Sequence, residues 1–280
     1  MHGAHGWLRE PLAGWRQYLR GTFIAAMVVT VALSAGLASP AYGQAFQPQP
    51  PADAPHASSV CRPAAPAVEK TPGASVRVDR GPTECNAVTL TFDAGADRGY
   101  AELILDILRD EHVPASFGMT GAWAQQNSDL VMRIVEEGHE LINHTWSHQS
   151  FTGFSAGRPL GVGERRMELD RTEELLVGLT NKSTRPLFRP PYGDLDDGVF
   201  KDLSDAGYDY TIMWTVDSLG WNRLPADGIV ERCLSRAEPG AIYIFHVGEQ
   251  SADAQALPAI IAGLRERGFT FATVTDLLGL

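Results

Sequence analysis

The chain has 280 residues and a formal charge of −11, with 34 acidic side chains against 23 basic ones. An acidic chain with no basic patch is not a nucleic-acid binder by charge, and it gains nothing from general attraction to anionic polymers. The length suits one or two domains, and the composition of the N-terminal segments argues for one.

Residues 1–43 carry Arg9, Arg16 and Arg20, then an apolar run from Phe23, then small residues around Ala41 and Gly43. That is the layout of a secretory signal peptide. An uncleaved anchor is the alternative, and the only route this chain offers to a membrane, although the run is short for a span. Residues 44–82 are rich in Pro and Ala and keep no apolar periodicity. Such a segment cannot bury enough surface to offset its ordering entropy, so it reads as a flexible linker. Residues 83–280 remain, ample for one well-buried domain. Export would place the chain outside the cell or in the envelope and would permit disulfides. A Cys61–Cys85 bridge would then pin the linker to the first strand, whereas Cys233 reads as a small buried apolar residue in a helix.

Along the domain, strand-like and helix-like segments alternate. Strands are expected at 86–92, 115–119, 139–143, 186–189, 208–214, 241–245 and 269–273. Helices are expected at 99–109, 130–137, 164–179, 198–206, 226–237 and 254–267; in the first, Leu103, Ile104, Ile107 and Leu108 recur at helical spacing. Repeated βα units specify a parallel sheet with helices outside it. Seven or eight units would close a barrel and fewer would leave an open sheet, a choice the pattern alone does not make. In either case Asp93, His144, Arg189, Asp217 and His246 fall at or just past the C-terminal ends of expected strands, the edge where α/β active sites assemble.

His144 and His148 stand four apart in His-Thr-Trp-Ser-His. If a helical turn follows the strand, both imidazoles face one way and can share a metal. Two histidines need a further ligand, usually a carboxylate, and Asp93 and Asp97 are the candidates. Asp93 ends an apolar strand, where a bare carboxylate is costly unless paired or metal-bound; Asp97 reads as third ligand or as a helix N-cap. Arg189 opens Arg-Pro-Pro-Tyr-Gly, whose prolines stiffen the backbone behind it. An arginine beside a carboxylate base keeps that base ionised and oriented, and the same turn leaves the Tyr192 and Gly193 N–H groups as oxyanion donors. His246 ends an apolar strand and suits a general acid, with Asp217 as the partner that orients it. Trp146, Tyr192, Trp214 and Trp221 lie in the same loops and read either as a platform for sugar rings or as core packing.

These five ordered segments, around Asp93, His144–His148, Arg189–Gly193, Asp217–Trp221 and His246, resemble the five motifs of the polysaccharide deacetylase family (the NodB-homology domain). The resemblance implies a distorted (β/α) barrel of about seven strands, a single divalent metal, usually zinc (Co²⁺, Mn²⁺ or Ni²⁺ being alternatives), and hydrolysis of a carbon–nitrogen bond in acetylated polysaccharide or oligosaccharide. It implies Asp93 as catalytic base, His144 and His148 as metal ligands, Arg189 as the residue steadying the base, Tyr192 N–H at the oxyanion, and His246 as acid. Two departures stand out. The family's metal-binding aspartate after the base is Ala94 here, which leaves Asp97 or water to complete the site. The aspartate before the motif tryptophan is Gly220, before Trp221, which leaves Asp217 to serve His246. Peptidoglycan is the first substrate expected, with chitin-like glycan, acetylated xylan and smaller acetylated molecules as alternatives. A non-catalytic glycan-binding protein on the same fold is the reading that Ala94 favours.

Overall fold

A computed structural model describes residues 68–280. The expected signal peptide, the first part of the linker and Cys61 lie outside the described residues. Cys85 is disulfide-bonded, and Cys233 is free and buried.

The described residues form nine strands: β1 (Val76–Val78), β2 (Ala87–Ala94), β3 (Ser116–Met119), β4 (Glu140–Asn143), β5 (Leu187–Phe188), β6 (Tyr210–Ile212), β7 (Val216–Asp217), β8 (Ile242–His246) and β9 (Thr270–Phe271). The helices are α1 (Ala101–Asp110), α2 (Gly121–Gln126), α3 (Ser128–Glu136), α4 (Val162–Thr180), α5 (Asp197–Asp205), α6 (Ala226–Ser235), α7 (Asp253–Glu266) and α8 (Val274–Leu278). Every pairing between these strands is parallel. The hydrogen-bonded order is β1-β6-β5-β4-β3-β2-β8-β7, with β9 on β2. Strands β6 and β7 are two halves of one run, the first half paired with β5 and β1 and the second with β8. Residues 213–215 thus connect β6, next to one end of the sheet order, with β7 at the other end, and the sheet curls on itself as a distorted (β/α) barrel. Merging β6 with β7 and setting aside β1 leaves the seven strands of the βα series.

The two-residue period of a strand decides what faces the barrel interior. On β2, Val88, Leu90, Phe92 and Ala94 enter the large core under the helices. The alternate residues Ala87, Thr89, Thr91 and Asp93, all buried, face inward. On β8, Tyr243 and Phe245 join that outer core, which leaves Ile242, Ile244 and His246 inside. Asp93 pairs in register with Gly118 on one side and His246 on the other. The same parity, continued past β4 and β5, carries His144 and Arg189 to the interior face. Five positions far apart in sequence therefore face the interior near the C-terminal rim, Asp93, Gly118 and His246 in register and His144 and Arg189 two residues further along.

The far end is closed by α8, which the strand-and-helix pattern did not indicate. Val274, Leu277 and Leu278 pack into the inner core with Val78, Ile142, Ile212 and Ile242. The half-buried Glu140 carboxylate accepts from Ser116 Oγ at 2.8 Å and from the Thr275 N–H at 3.3 Å, tying the plug to β3 and β4. The linker also ends earlier than expected. Residues 76–78 form β1, whose Val76 N–H donates to Asp209 O and whose Val78 O accepts from Met213 N–H, both at 2.8 Å. A three-residue Val-Arg-Val strand is too short to stand out from a Pro/Ala-rich context, and its partner lies far along the chain.

His139, just before β4, is buried, and its Nδ1 accepts the Ala115 N–H at 3.2 Å. Burial pushes its pKa down to about 4, against a smaller opposing pull from Glu137. Between about pH 4 and the ordinary histidine value near 6.5 the unfolded chain binds this proton and the folded one does not, so stability must fall as pH falls through that window. His139→Gln is expected to flatten the decline of the melting temperature between pH 6.5 and 4.5 in metal-free buffer; an unchanged slope in calorimetry would assign the decline to other groups.

Candidate active site

A cavity of about 630 Å³ opens at the C-terminal rim and is lined by Asp93, Asp97, His144, His148, Tyr192, Trp214, Asp217, Trp221 and His246, among others. At its floor lies a buried ion pair. The Arg189 guanidinium is wholly inaccessible, and each of its nitrogens is engaged: Nε donates to Ile212 O at 3.1 Å, Nη2 to Met213 O at 3.2 Å, and Nη1 to Thr91 Oγ1 and Asp93 Oδ1, both at 2.8 Å. Burial acts to raise the Asp93 pKa, but the Arg189 charge, aided by His144 and His246, outweighs it and holds the carboxyl below the usual carboxylate range. Gly118 makes the room: a Cβ at this position would lie 2.5 Å from Asp93 Oδ1.

His144 is buried, and its Nδ1 lies 2.8 Å from Arg189 O. A carbonyl only accepts, so Nδ1 carries the proton and Nε2 presents its lone pair. That Nε2 lies 3.6 Å from Asp93 Oδ2. The His148 ring is 4.9 Å from the His144 ring at 70°, and 4.7 Å from the Tyr192 ring on its other side. Burial, with the nearby His144 charge, pushes the His148 pKa down to about 4, and burial likewise lowers that of His144. Both imidazoles are therefore neutral at pH 7, the state that binds metal.

The two histidines converge through a bend rather than the expected helical turn, with Thr145 at φ 69° and His148 at φ 61°. Side chains hold the bend. Thr145 Oγ1 accepts the His148 N–H at 3.1 Å, and Asn143 Oδ1 accepts the Thr145 N–H at 3.0 Å. From α4, Glu168 accepts the Trp146 N–H at 2.9 Å and the Ser147 N–H at 2.8 Å. Glu168 was missed because a single acid within an amphipathic helix reads as a solvated face.

Among the described residues no three His, Cys, Asp or Glu side chains gather as a group that could hold a metal ion. Asp97, expected as a third ligand, lines the cavity rim but spends Oδ1 on the Glu249 N–H at 3.0 Å. Ala94 is fully buried in the core under the helices. The donor chemistry still fits a divalent ion at the imidazole pair: two neutral nitrogens, one fixed by its tautomer, lie beside an ionised carboxylate. Protein nitrogen would fill two positions, and oxygen ligands the rest.

Tyr192 sits at φ 60° in the turn after β5 and is half exposed, a backbone state costing about 1–3 kcal/mol for a residue other than glycine. Of the two N–H groups expected as oxyanion donors, that of Gly193 is engaged with Pro190 O at 3.2 Å, leaving that of Tyr192 as the candidate. Trp221 is half exposed over the cavity, its Nε1 donating to Asp217 Oδ2 at 3.2 Å. Asp217 also accepts the Leu219 N–H at 2.8 Å, so it orients Trp221 and its own loop rather than His246. The carboxylate beside His246 belongs to Asp253, whose Oδ2 accepts the His246 backbone N–H at 2.8 Å and lies 4.0 Å from Nδ1. Trp146 does not line the cavity; its ring fits against Gly121 and under Arg171, whose guanidinium carbon is 3.5 Å from the ring centre.

A family model described as polysaccharide deacetylase matches residues 80–211. A peptidoglycan-N-acetylmuramic acid deacetylase of Bacillus subtilis is 31% identical over 201 residues, covering 71% of this chain and 73% of its own. A peptidoglycan-N-acetylglucosamine deacetylase of Bacillus cereus is 32% identical, covering 70% and 90%. Among solved structures, a wild-type CE4 family pseudoenzyme from Bacillus anthracis matches with a TM-score of 0.66 at 31% identity, over 72% of this chain and 69% of that one.

Replacing Arg189 by Met leaves Asp93 buried without its counter-charge, and urea unfolding at pH 7 is expected to show a loss of about 3–5 kcal/mol. Adding Asp93→Asn should recover part of that loss. A double variant no more stable than Arg189→Met would show that the carboxylate is not what the guanidinium neutralises.

Proposed function

The chain belongs to the polysaccharide deacetylase family, and on that footing we propose that it is a metal-dependent hydrolase removing acetyl groups from an N-acetylated glycan of the cell envelope, with peptidoglycan the first substrate. The observation that supports this reading most is the placement of an ionised Asp93, clamped by Arg189, 3.6 Å from His144 Nε2 and in register with His246. The N-terminal pattern of charge, apolar run and small residues supports export to the compartment where that polymer lies.

His144 and His148 would hold the ion, which when bound polarises the acetyl carbonyl and lowers the pKa of water. Asp93 takes the proton from the attacking water; its lowered pKa keeps it ready as a base at neutral pH. Oxygen adds to the carbonyl carbon, and the Tyr192 N–H donates to the oxyanion. His246, on the strand beside Asp93, gives a proton to the sugar nitrogen as the carbon–nitrogen bond breaks, so acetate and a free amine leave. Trp221 and Tyr192, both half exposed at the rim, offer flat apolar faces to the sugar rings.

Ala94 supports a second reading, a glycan-binding protein of this fold without turnover. Measuring acetate release from peptidoglycan, chitooligosaccharides and acetyl-xylan, before and after chelation, separates the two. The expected result is release from the N-acetylated glycans that chelator abolishes and added Zn²⁺ restores; bound glycan with no acetate under any metal supports the second reading. His246→Ala is expected to lower kcat by about 10²–10⁴-fold with an unchanged circular dichroism spectrum. Gly118→Ala, which drives a methyl into the Asp93 carboxylate, should cost about 10²-fold in kcat/KM; wild-type turnover would remove the requirement for a fixed base.

A further inference from the structure

We propose that Asp253 is the positioning residue of His246, and that Gly220 lacks a side chain because the Asp253 carboxylate occupies that space. This rests on the reading of His246 as proton donor and extends it to a residue outside the five motif segments.

Asp253 is the first residue of α7 and is 1% exposed. Its Oδ2 accepts two donors, the His246 backbone N–H at 2.8 Å and Ser218 Oγ at 3.2 Å. Its Oδ1 is buried with no hydrogen-bond partner, and so is Nδ1 of His246. One orphan is an acceptor and the other is a ring nitrogen that can donate, and Nδ1 is 4.0 Å from Oδ2. Two unmet groups of complementary kind on neighbouring side chains are costly unless they serve each other, and in the proposed arrangement the imidazole turns to bring Nδ1–H onto the carboxylate, whose Oδ2 is 4.0 Å away. With Nδ1 so engaged, Nε2 is left to carry the transferable proton, and His246 lines the cavity.

Gly220 supplies independent support. A Cβ there would lie 2.4 Å from Asp253 Oδ1 and 2.2 Å from Ser251 Oγ, so the carboxylate fills the volume that a side chain at 220 would take. Ser251 Oγ accepts the Asp253 N–H at 3.2 Å, and Ser218 Oγ accepts the Gly220 N–H at 3.1 Å. The two loops are thereby stitched around the same carboxylate. Asp217, the nearer acid in sequence to Gly220, is taken by Leu219 and Trp221.

The test uses Asp253→Asn, Asp253→Ser and the relocation variant Gly220→Asp/Asp253→Ser, assayed on the N-acetylated glycan that the wild type turns over, with His246→Ala alongside. Asp253→Asn keeps the shape and an acceptor for the His246 N–H but removes the charge. The expected result is a kcat about 10- to 100-fold lower, taking the scale found for carboxylates that orient a metal-bound histidine, with KM unchanged. In ¹⁵N spectra of the imidazoles, the Nδ1–H signature of His246 should be clear in the wild type and blurred between tautomers in Asp253→Ser. Moving the carboxylate to position 220 should restore kcat to within about tenfold of wild type. A wild-type kcat and tautomer in Asp253→Asn overturn the proposal, as does a folded relocation variant no faster than Asp253→Ser. If His246→Ala itself keeps wild-type turnover, the role of His246 as acid fails instead, a separate outcome.

Discussion

A guanidinium with no access to water sits beneath the active cavity, and the site is built on what that charge demands. Arg189 is stable there only because a carboxylate, a threonine hydroxyl and two backbone carbonyls meet all of its nitrogens. Those partners come from β2 and from the run joining β6 to β7, so the pair ties together strands on opposite sides of the curled sheet. The same contact sets the chemistry: it lowers the Asp93 pKa despite burial and points the free carboxylate oxygen at His144. The carbonyl of Arg189 also fixes the His144 tautomer. One residue thus determines the charge of the base, its direction, and which nitrogen of the neighbouring imidazole is open.

The remaining parts of the site are positioned by softer means. The histidine pair depends on a strained bend that Glu168 braces from α4. Tyr192 is held at a left-handed backbone angle between Pro191 and Gly193, which places its ring against His148. His246 depends on α7, through the buried carboxylate of Asp253. Strands carry Asp93 and His246, and loops carry His148, Tyr192 and Trp221, the division expected of an α/β fold whose sites are assembled at the C-terminal rim.

Much of this was legible in the sequence because it follows from periodicity. Alternating apolar runs gave the βα order, and strand ends gave Asp93, His144, Arg189 and His246. What stayed hidden was set by tertiary contact. Asp217 was a reasonable partner for His246 by proximity in its motif, but its carboxylate is taken up by the loop and by Trp221. Asp253 lies just before the helix expected at 254–267 and carries no motif signal; the fold shows it filling the space over Gly220. Asp97 lines the cavity rim, and one of its carboxylate oxygens accepts the Glu249 N–H. Trp146, among the motif histidines, packs outward under Arg171. Chain neighbours suggested these pairings, and the hydrogen bonds and packing of the fold differ from them.

The central claim is that Asp93 is an ionised base because Arg189 lies beside it. Its most direct test is a ¹³C-carboxyl NMR titration of the metal-free protein, with the Asp93 resonance assigned by its loss in Asp93→Asn. The account predicts a carboxyl that remains ionised as pH falls below the ordinary aspartate value of about 3.9. A resonance that titrates above that value would mean burial outweighs the arginine, and the account of the site would be wrong.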